Sequence, residues 1–178
     1  FTEILRPQFV FMENVPGLGK GRNKHILEEL IEGLLGLSYT MSLPQVVDAV
    51  SYGVPQFRKR LILLGSRGRP VLTVPEATHV SPQEAERLSR TKWRTVGEAF
   101  VGLPELEAGG KSETDPMHKA RSHTSINLER MRHIPHNGGS RGSLPPHLQL
   151  ACHKNGRNIG YHDVYGRMDS RKPSNTLT

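Results

Sequence analysis

Four apolar residues in a row, Phe9-Val10-Phe11-Met12, stand between the turn signals Arg6-Pro7 and Pro16-Gly17. A continuous apolar run with such borders predicts a strand over 8–15 that is buried on both faces, as in the middle of a parallel sheet. Its exit is polar, with Glu13 and Asn14 just before Val15. The period then changes. Ile26, Leu27, Leu30, Ile31, Leu34 and Leu35 recur at three- and four-residue spacing, which lines one stripe of a helix. Asn23 suits its N-cap and Gly36 its stop. "YTMSLPQVV" from residue 39 predicts a second strand, and "RLILLGS" from residue 60 a third. Strand, helix, strand, strand is the order of the last part of an open α/β sheet.

Beyond residue 66 the pattern loosens. Ser81-Pro82-Gln83-Glu84 is a capping box with proline at the first helical position, so a short helix is expected at 82–90. Thr95-Val96-Gly97-Glu98 repeats that signal ahead of Ala99, Phe100 and Leu103. After 104 the chain is rich in Gly, Pro and His with weak periodicity. It reads as a second, smaller lobe of loops and short strands. There is no internal repeat and no low-complexity tract.

Composition narrows the class. Apolar residues make up 35% of the 178 positions, against 18 Gly and 13 Pro, which suggests a modest core with much loop. The single cysteine, Cys152, excludes an internal disulfide and a multi-cysteine zinc site. That is compatible with a reducing interior. No metal-ligand spacing surrounds Cys152 and its neighbouring histidines, so no metal is expected. No apolar run approaches the roughly 20 residues of a membrane span. Position 1 is Phe, in mid-pattern, and the chain reads as part of something longer.

The distribution of charge says more than its sum of +7. Residues 1–70 carry nine Lys/Arg against six Asp/Glu, and residues 71–115 carry five against eight. Residues 116–178 carry ten against three, with seven of the nine histidines. A basic, Gly- and His-rich final third suits a polyanion such as nucleic acid. The alternative is a solubilising loop region.

Three stretches carry candidate chemistry. Glu13 sits at the carboxyl end of a strand, where functional groups collect in open α/β sheets. A carboxylate leaving an apolar strand can hold or share a proton near neutrality. The plain alternative is a capping or salt-bridged acid. In "SYGVPQFRKRLILLG", Gln56, Arg58 and Arg60 alternate, so an extended run points them to one side and Phe57 and Lys59 to the other. Two guanidiniums and an amide make a donor array suited to carbonyl or phosphate oxygens. The alternative is a solvated, charge-rich edge strand. The third stretch, "DVYGRMDSRKPSNTLT", is by itself a Gly- and Pro-punctuated linker.

In combination these stretches are more specific. Glu-Asn-Val at a strand end, then Tyr-Gly-Val-Pro-Gln-x-Arg-x-Arg, then a variable basic region, then Gly-Arg…Pro…Thr-x-Thr resembles the C-terminal portion of the DNA (cytosine-5)-methyltransferase family. "TVGEAFVGLP" and "IPHNGG…LPPHL" are similar to its segment leading into and through the target-recognition region. The resemblance implies the last strands of a Rossmann-like, S-adenosylmethionine-dependent methyltransferase sheet plus a smaller, loop-rich target-recognition domain. The expected divisions are a partial catalytic domain at 1–104, a recognition region at 105–165 and a returning segment at 166–178. The implied activity is methylation at C5 of a cytosine flipped out of double-stranded DNA, in a bacterial cytoplasm or bound to DNA. A cognate restriction endonuclease belongs to the same expectation.

Residue by residue, Glu13 matches the glutamate that contacts N3 and the exocyclic amino group of the ring. Arg60 matches the last arginine of Gln-x-Arg-x-Arg, which contacts O2 and stabilises charge growing on the ring. Arg58 and Gln56 match its other members, with supporting, orienting and DNA-contact roles. Asn14 and Val15 would shape the turn under the base. Arg141, Lys154 and Arg157, in Gly-rich contexts, would contact phosphates. Arg167, Pro173 and Thr176 match the motif that closes the recognition region. Cys152 does not match the nucleophile, which follows a proline ahead of Glu-Asn-Val. The Pro-Cys loop and the Gly-rich loop that binds most of S-adenosylmethionine are absent from these residues, so a missing N-terminal half or a complementary subunit is expected, with no activity in this polypeptide alone. A non-catalytic, sequence-specific DNA-binding module and a methyltransferase acting on RNA remain the other readings.

Overall fold

A computed structural model describes residues 1–151 and 165–176. In chain order the regular elements are α1 (Thr2–Leu5), β1 (Phe9–Asn14), α2 (Lys24–Gly36), β2 (Tyr39–Met41), β3 (Gln45–Asp48), β4 (Lys59–Arg67), β5 (His79–Val80), α3 (Pro82–Leu88), β6 (Thr91–Lys92), α4 (Val96–Ala99) and α5 (Ser125–Arg132). The fold is mixed α/β. It divides into two compact units, Phe1–Arg94 with Asn175–Thr178, and Thr95–Ser174.

The first unit is built around β4, the longest strand. Along one edge β1 runs antiparallel to it, from Phe9 opposite Ser66 to Asn14 opposite Leu61. Along the other lie β2, with Tyr39 opposite Arg67, and β3, with Val47 opposite Arg60, both antiparallel. The expected single strand over "YTMSLPQVV" is therefore two. Ser42 marks the break: its N–H donates to the Leu64 carbonyl at 2.8 Å and its hydroxyl accepts from the Leu64 N–H at 3.0 Å. Pro44, lacking an N–H, cannot carry the ladder across the gap. Leu27 and Leu34 of α2 are buried, and Leu27 forms a core with Leu61 and Leu63 of β4, flanked by Met12, Leu18, Ile31 and Met41.

The strand over 8–15 departs from expectation in two ways. It pairs antiparallel rather than parallel, and it is not buried on both faces. Exposure alternates along β1, leaving Phe9 and Phe11 51% and 67% exposed. The described residues cover one face only, the one that carries Met12 to the core. Helix α2 shows the same one-sidedness, with Ile26, Leu30 and Leu35 exposed. Asn23 stands at its N-cap without a side-chain capping bond, and Gly36 is its last residue rather than the residue beyond it. Helix α3 has the expected capping box at Ser81 and Glu84, and ends at Leu88.

The second unit begins where α4 is tied to the far end of its own segment. The capping box at Thr95 and Glu98 forms as expected. The Val96 N–H donates to the Lys172 carbonyl and the Gly97 N–H to the Ser170 carbonyl, each at 2.9 Å. Those bonds bring residues from 95 onward into this unit. Its core is Ile134, Leu144 and Leu148, with Tyr165 against them. The short strands expected here are not seen among the described residues, where Lys111 and Lys119 form an isolated bridge. A helix the periodicity did not reveal, α5, is held instead by tertiary bonds. Arg130 Nε donates to the Leu148 carbonyl at 2.9 Å, and Asn127 Oδ1 accepts from Arg130 and from the Tyr165 hydroxyl.

Two substitutions test this packing. A Cβ at Gly97 would lie 2.8 Å from the Ser170 carbonyl oxygen, a backbone atom that cannot swing aside. Gly97→Ala is expected to destabilise the second unit by about 1–3 kcal/mol in chemical denaturation. Leu63→Ala, at a position 1% exposed, is expected to cost the first unit about 2–5 kcal/mol.

Candidate functional site

The exit of β1 and the start of β4 lie side by side because their register makes them so. Asn14 is opposite Leu61, which places Glu13 and Arg60 within reach across the same edge. Arg60 Nε donates to Glu13 Oε1 at 2.6 Å, and Arg60 Nη1 to its neighbour's carbonyl, that of Lys59, at 2.8 Å. Glu13 is the more open partner, with 44% of its side chain exposed against 19% for Arg60. The guanidinium thus lies mostly covered while the carboxylate faces outward. A pair this exposed adds little to stability. Its consequence is orientation: an acid and a delocalised cation are held at one strand end with their remaining oxygens and N–H groups free to address a third group.

Asn14 finishes the strand locally, its Oδ1 accepting the Val15 N–H at 2.8 Å. Pro16 then opens a 3₁₀ turn at Pro16–Gly19. Asn14 thus ends β1 one residue after Glu13 and two before the turn.

The Gln56–Arg60 run begins in the loop joining β3 to β4. That loop opens with a 3₁₀ turn at Ala49–Tyr52 and reverses at Gly53, whose φ of 86° is the left-handed conformation glycine adopts without strain. It closes at Arg58, whose N–H donates to Asp48 Oδ1 at 2.8 Å and whose carbonyl accepts from the Ala49 N–H at 3.1 Å. The Phe57 ring meets Trp93 edge to face, with centroids 5.2 Å apart, while Arg60 meets Glu13. The Phe57 carbonyl accepts from the Thr176 hydroxyl at 2.7 Å. The side chains of Gln56 and Arg58 have no partner among the described residues.

The remaining predicted residues fall elsewhere. Arg141 lies in a 3₁₀ turn at Arg141–Ser143 of the second unit. Lys154, Arg157 and Cys152 lie outside the described residues. Arg167 is a tie inside the second unit: its N–H donates to the Gly139 carbonyl, Nη2 to the Met131 carbonyl at 2.8 Å, and Nη1 to His136 Nδ1 at 3.4 Å. Pro173 is half-buried near the end of that unit. Thr176 belongs to the first unit. Among the described residues no cluster of His, Cys, Asp or Glu could hold a metal, and no helix is long and apolar enough to cross a membrane.

Sequence reasoning missed three residues that matter here. Asp48 and Trp93 support the Gln56–Arg60 run. The only signal for Asp48 was an acid at the mouth of a Gly- and Pro-containing turn, a place where Asp commonly bonds nearby backbone. Asp169 is the third. Arg171 grips its carboxylate with Nε at 3.0 Å and Nη2 at 3.1 Å, and Lys172 stands 3.7 Å away. The Arg171 side-chain bonds, reinforced by its backbone N–H, pull the Asp169 carboxyl down from 3.8 to about 2.

A family model described as C-5 cytosine-specific DNA methylase matches residues 1–171. The type II methylase M.HgiDII of Herpetosiphon aurantiacus is 33% identical over 182 residues, covering 100% of this chain and 48% of the relative. The type II methyltransferase M1.HphI of Haemophilus parahaemolyticus is 31% identical over 177 residues, covering 99% and 42%. The chain thus spans about half the length of the curated relatives it matches. A solved structure of a putative prophage-encoded DNA modification methyltransferase from E. coli overlaps 75% of this chain and 37% of its own, at 23% identity and a TM-score of 0.46.

The Asp169 cluster supplies a pH test. A carboxyl whose folded pKa is depressed stabilises the fold above its unfolded pKa and loses that contribution as pH falls through the folded value. The second unit is therefore expected to lose stability between about pH 4 and pH 2. Asp169→Asn should flatten that part of the profile in an acid-denaturation series followed by circular dichroism.

Proposed function

The chain belongs to the C-5 cytosine-specific DNA methylase family, and from that membership we propose that it serves the transfer of a methyl group from S-adenosylmethionine to C5 of a cytosine in double-stranded DNA. The observation that carries the reading is the Glu13–Arg60 contact at 2.6 Å, which assembles an acid and a cation at one strand end. Cytosine presents N3 as an acceptor and its N4 amino group as a donor on one edge, with the O2 acceptor beside N3. A carboxyl group that gains or shares a proton can donate to N3 and accept from N4. Protonation or hydrogen bonding at N3 draws electrons from the ring and makes C6 more open to attack. The Arg60 guanidinium, through N–H groups not used on Glu13, stabilises negative charge developing at O2.

The contact also sets the order of events on this side of the base. In the structure Arg60 Nε occupies one oxygen of Glu13. An entering pyrimidine edge offers both groups new partners and loosens their grip on each other. Arg58, whose guanidinium has no partner among the described residues, and Gln56 complete a donor array for the base or the adjacent backbone. The basic second unit suits the phosphates of the duplex, with Arg141 and the undescribed Lys154 and Arg157 as proposed contacts. Arg167, which ties backbone and His136 inside that unit, is proposed as support rather than as a contact. On this reading the first unit is a share of a Rossmann-like catalytic sheet and the second a target-recognition region.

S-adenosylmethionine supplies the methyl group in this reaction. The residues present do not fit it: residues 1–178 include no glycine-rich cofactor turn of the kind the family uses, so no step is assigned to the cofactor here. The type II relatives are proposed as the guide to biological setting, modification of DNA alongside a restriction endonuclease.

Two outcomes test the reading. Incubated alone with labelled S-adenosylmethionine and DNA, this polypeptide is expected to incorporate no label into cytosine. In a methylation-competent protein that contains it, Glu13→Gln should slow methyl transfer by about 10²-fold or more while DNA affinity changes little. Equal loss of rate and affinity would count against an acid role and favour a DNA-binding module.

A further inference from the structure

We propose that Asp48 and Thr176 are positioning residues for the Gln56–Arg60 donor array, acting together on the single peptide unit that joins Phe57 to Arg58. The proposal rests on the reading of Arg58 and Arg60 as donors to the substrate, and names what holds them.

A donor array works only if its members are held to within a fraction of an ångström of the productive geometry. Arg60 lies inside the ladder, opposite Val47 of β3, and is placed by the sheet. Gln56 and Arg58 are not. The paired strand starts at Lys59, opposite Asp48; before it lie the 3₁₀ turn at Ala49–Tyr52, the reversal at Gly53 and a loop in which Gln56 makes only an isolated bridge. A turn that reverses at Gly53 and continues through Pro55 has no continuous ladder to fix where Arg58 points.

The Phe57–Arg58 peptide unit supplies the missing constraint, because both of its polar ends are bonded to side chains. Its N–H donates to Asp48 Oδ1 at 2.8 Å. Its carbonyl accepts from Thr176 Oγ1 at 2.7 Å. The first partner comes from the end of β3, ten residues earlier; the second comes from 119 residues later in the chain. Bonds at opposite ends of one planar unit fix its tilt, which a single bond leaves free. Rotation about the next bonds is limited by the Phe57 ring against Trp93 on one side and by the Ala49 N–H on the Arg58 carbonyl on the other. Arg58 is thus held through its backbone at three points while its guanidinium makes no bond among the described residues. Backbone restraint with a free head group is the arrangement expected of a residue that waits for a ligand.

The chemistry of the two partners sharpens the claim. Asp48 makes no ion pair among the described residues, so its carboxylate acts here as a charge-assisted acceptor for one N–H. Asn keeps that acceptor oxygen and Ala removes it. The Thr176 hydroxyl is needed only as a donor. Ser keeps it, and Val removes it at nearly constant shape.

The experiment reads the clamp and the chemistry separately. Amide hydrogen exchange at Arg58, followed by NMR on the full chain, is expected to speed up by roughly tenfold in Asp48→Ala and in Thr176→Val. Asp48→Asn and Thr176→Ser should stay near the parent rate. In a methylation-competent protein, the Ala and Val variants should slow single-turnover methyl transfer by a similar factor at nearly unchanged DNA affinity, and the Asn and Ser variants should recover it. Unchanged exchange at Arg58 in both Ala and Val variants overturns the clamp. Faster exchange with an unchanged chemical step overturns the positioning role and leaves the methylation reading intact. Asp48→Asn as slow as Asp48→Ala also overturns it, since charge rather than the bond would then matter. A longer protein that contains this chain and methylates no DNA overturns the methylation reading, and with it the positioning role, whatever the exchange rates show.

Discussion

Leu61 sits opposite Asn14 on one edge of β4 and opposite Val46 on the other. That double pairing is the constraint from which the first unit takes its form. It spends the backbone hydrogen bonds of β4 on both sides, so the strand cannot slip without breaking two ladders. A one-residue shift would also turn Leu61 and Leu63 away from Leu27 and lose the core. The same register brings the polar exit of β1 beside the basic entry of β4. Glu13 and Arg60 meet because apolar residues further along the same strands must be buried.

Around this sheet the chain uses side chains to hold what ladders cannot. Ser42 bridges the gap between β2 and β3 through both its N–H and its hydroxyl. Asp48 and Thr176 hold the loop that leads into β4. In the second unit, where the described residues form no strands, the pattern is stronger still. Arg130, Asn127 and Arg167 tie helix and loop backbones together, and Asp169 gathers Arg171 and Lys172. Such polar ties add to the small cluster of Ile134, Leu144 and Leu148 that the described residues bury. Asp169 also offsets part of the unit's positive charge, at Arg171 and Lys172.

The local signals in the sequence were reliable where the physics is local. Both capping boxes form at the residues expected, because a Ser or Thr three positions before Glu satisfies its bonds within one turn. The stripe of α2 and the apolar heart of β4 were legible for the same reason. The failures were matters of what lies alongside. A continuous apolar run in β1 was compatible with burial on both faces, but burial needs a neighbour on each face, and the direction of pairing belongs to the strand along its edge. "YTMSLPQVV" has strand composition throughout; only the ladder to β4 reveals the break at Ser42. Helix α5 has little periodicity of its own and exists through bonds to Leu148 and Tyr165.

The candidate site divides along the same line. The residue types and their order, Glu13-Asn14-Val15 followed by Gln56-x-Arg58-x-Arg60, were sufficient to indicate the family. Their convergence was not in the order. It follows from the antiparallel register of β1 on β4, which is set by hydrophobic burial, and from an acid and a hydroxyl that no motif singled out for that purpose. The sequence by itself determined which groups are available; the tertiary structure decided which of them meet, because distance across a sheet depends on pairing and not on spacing along the chain.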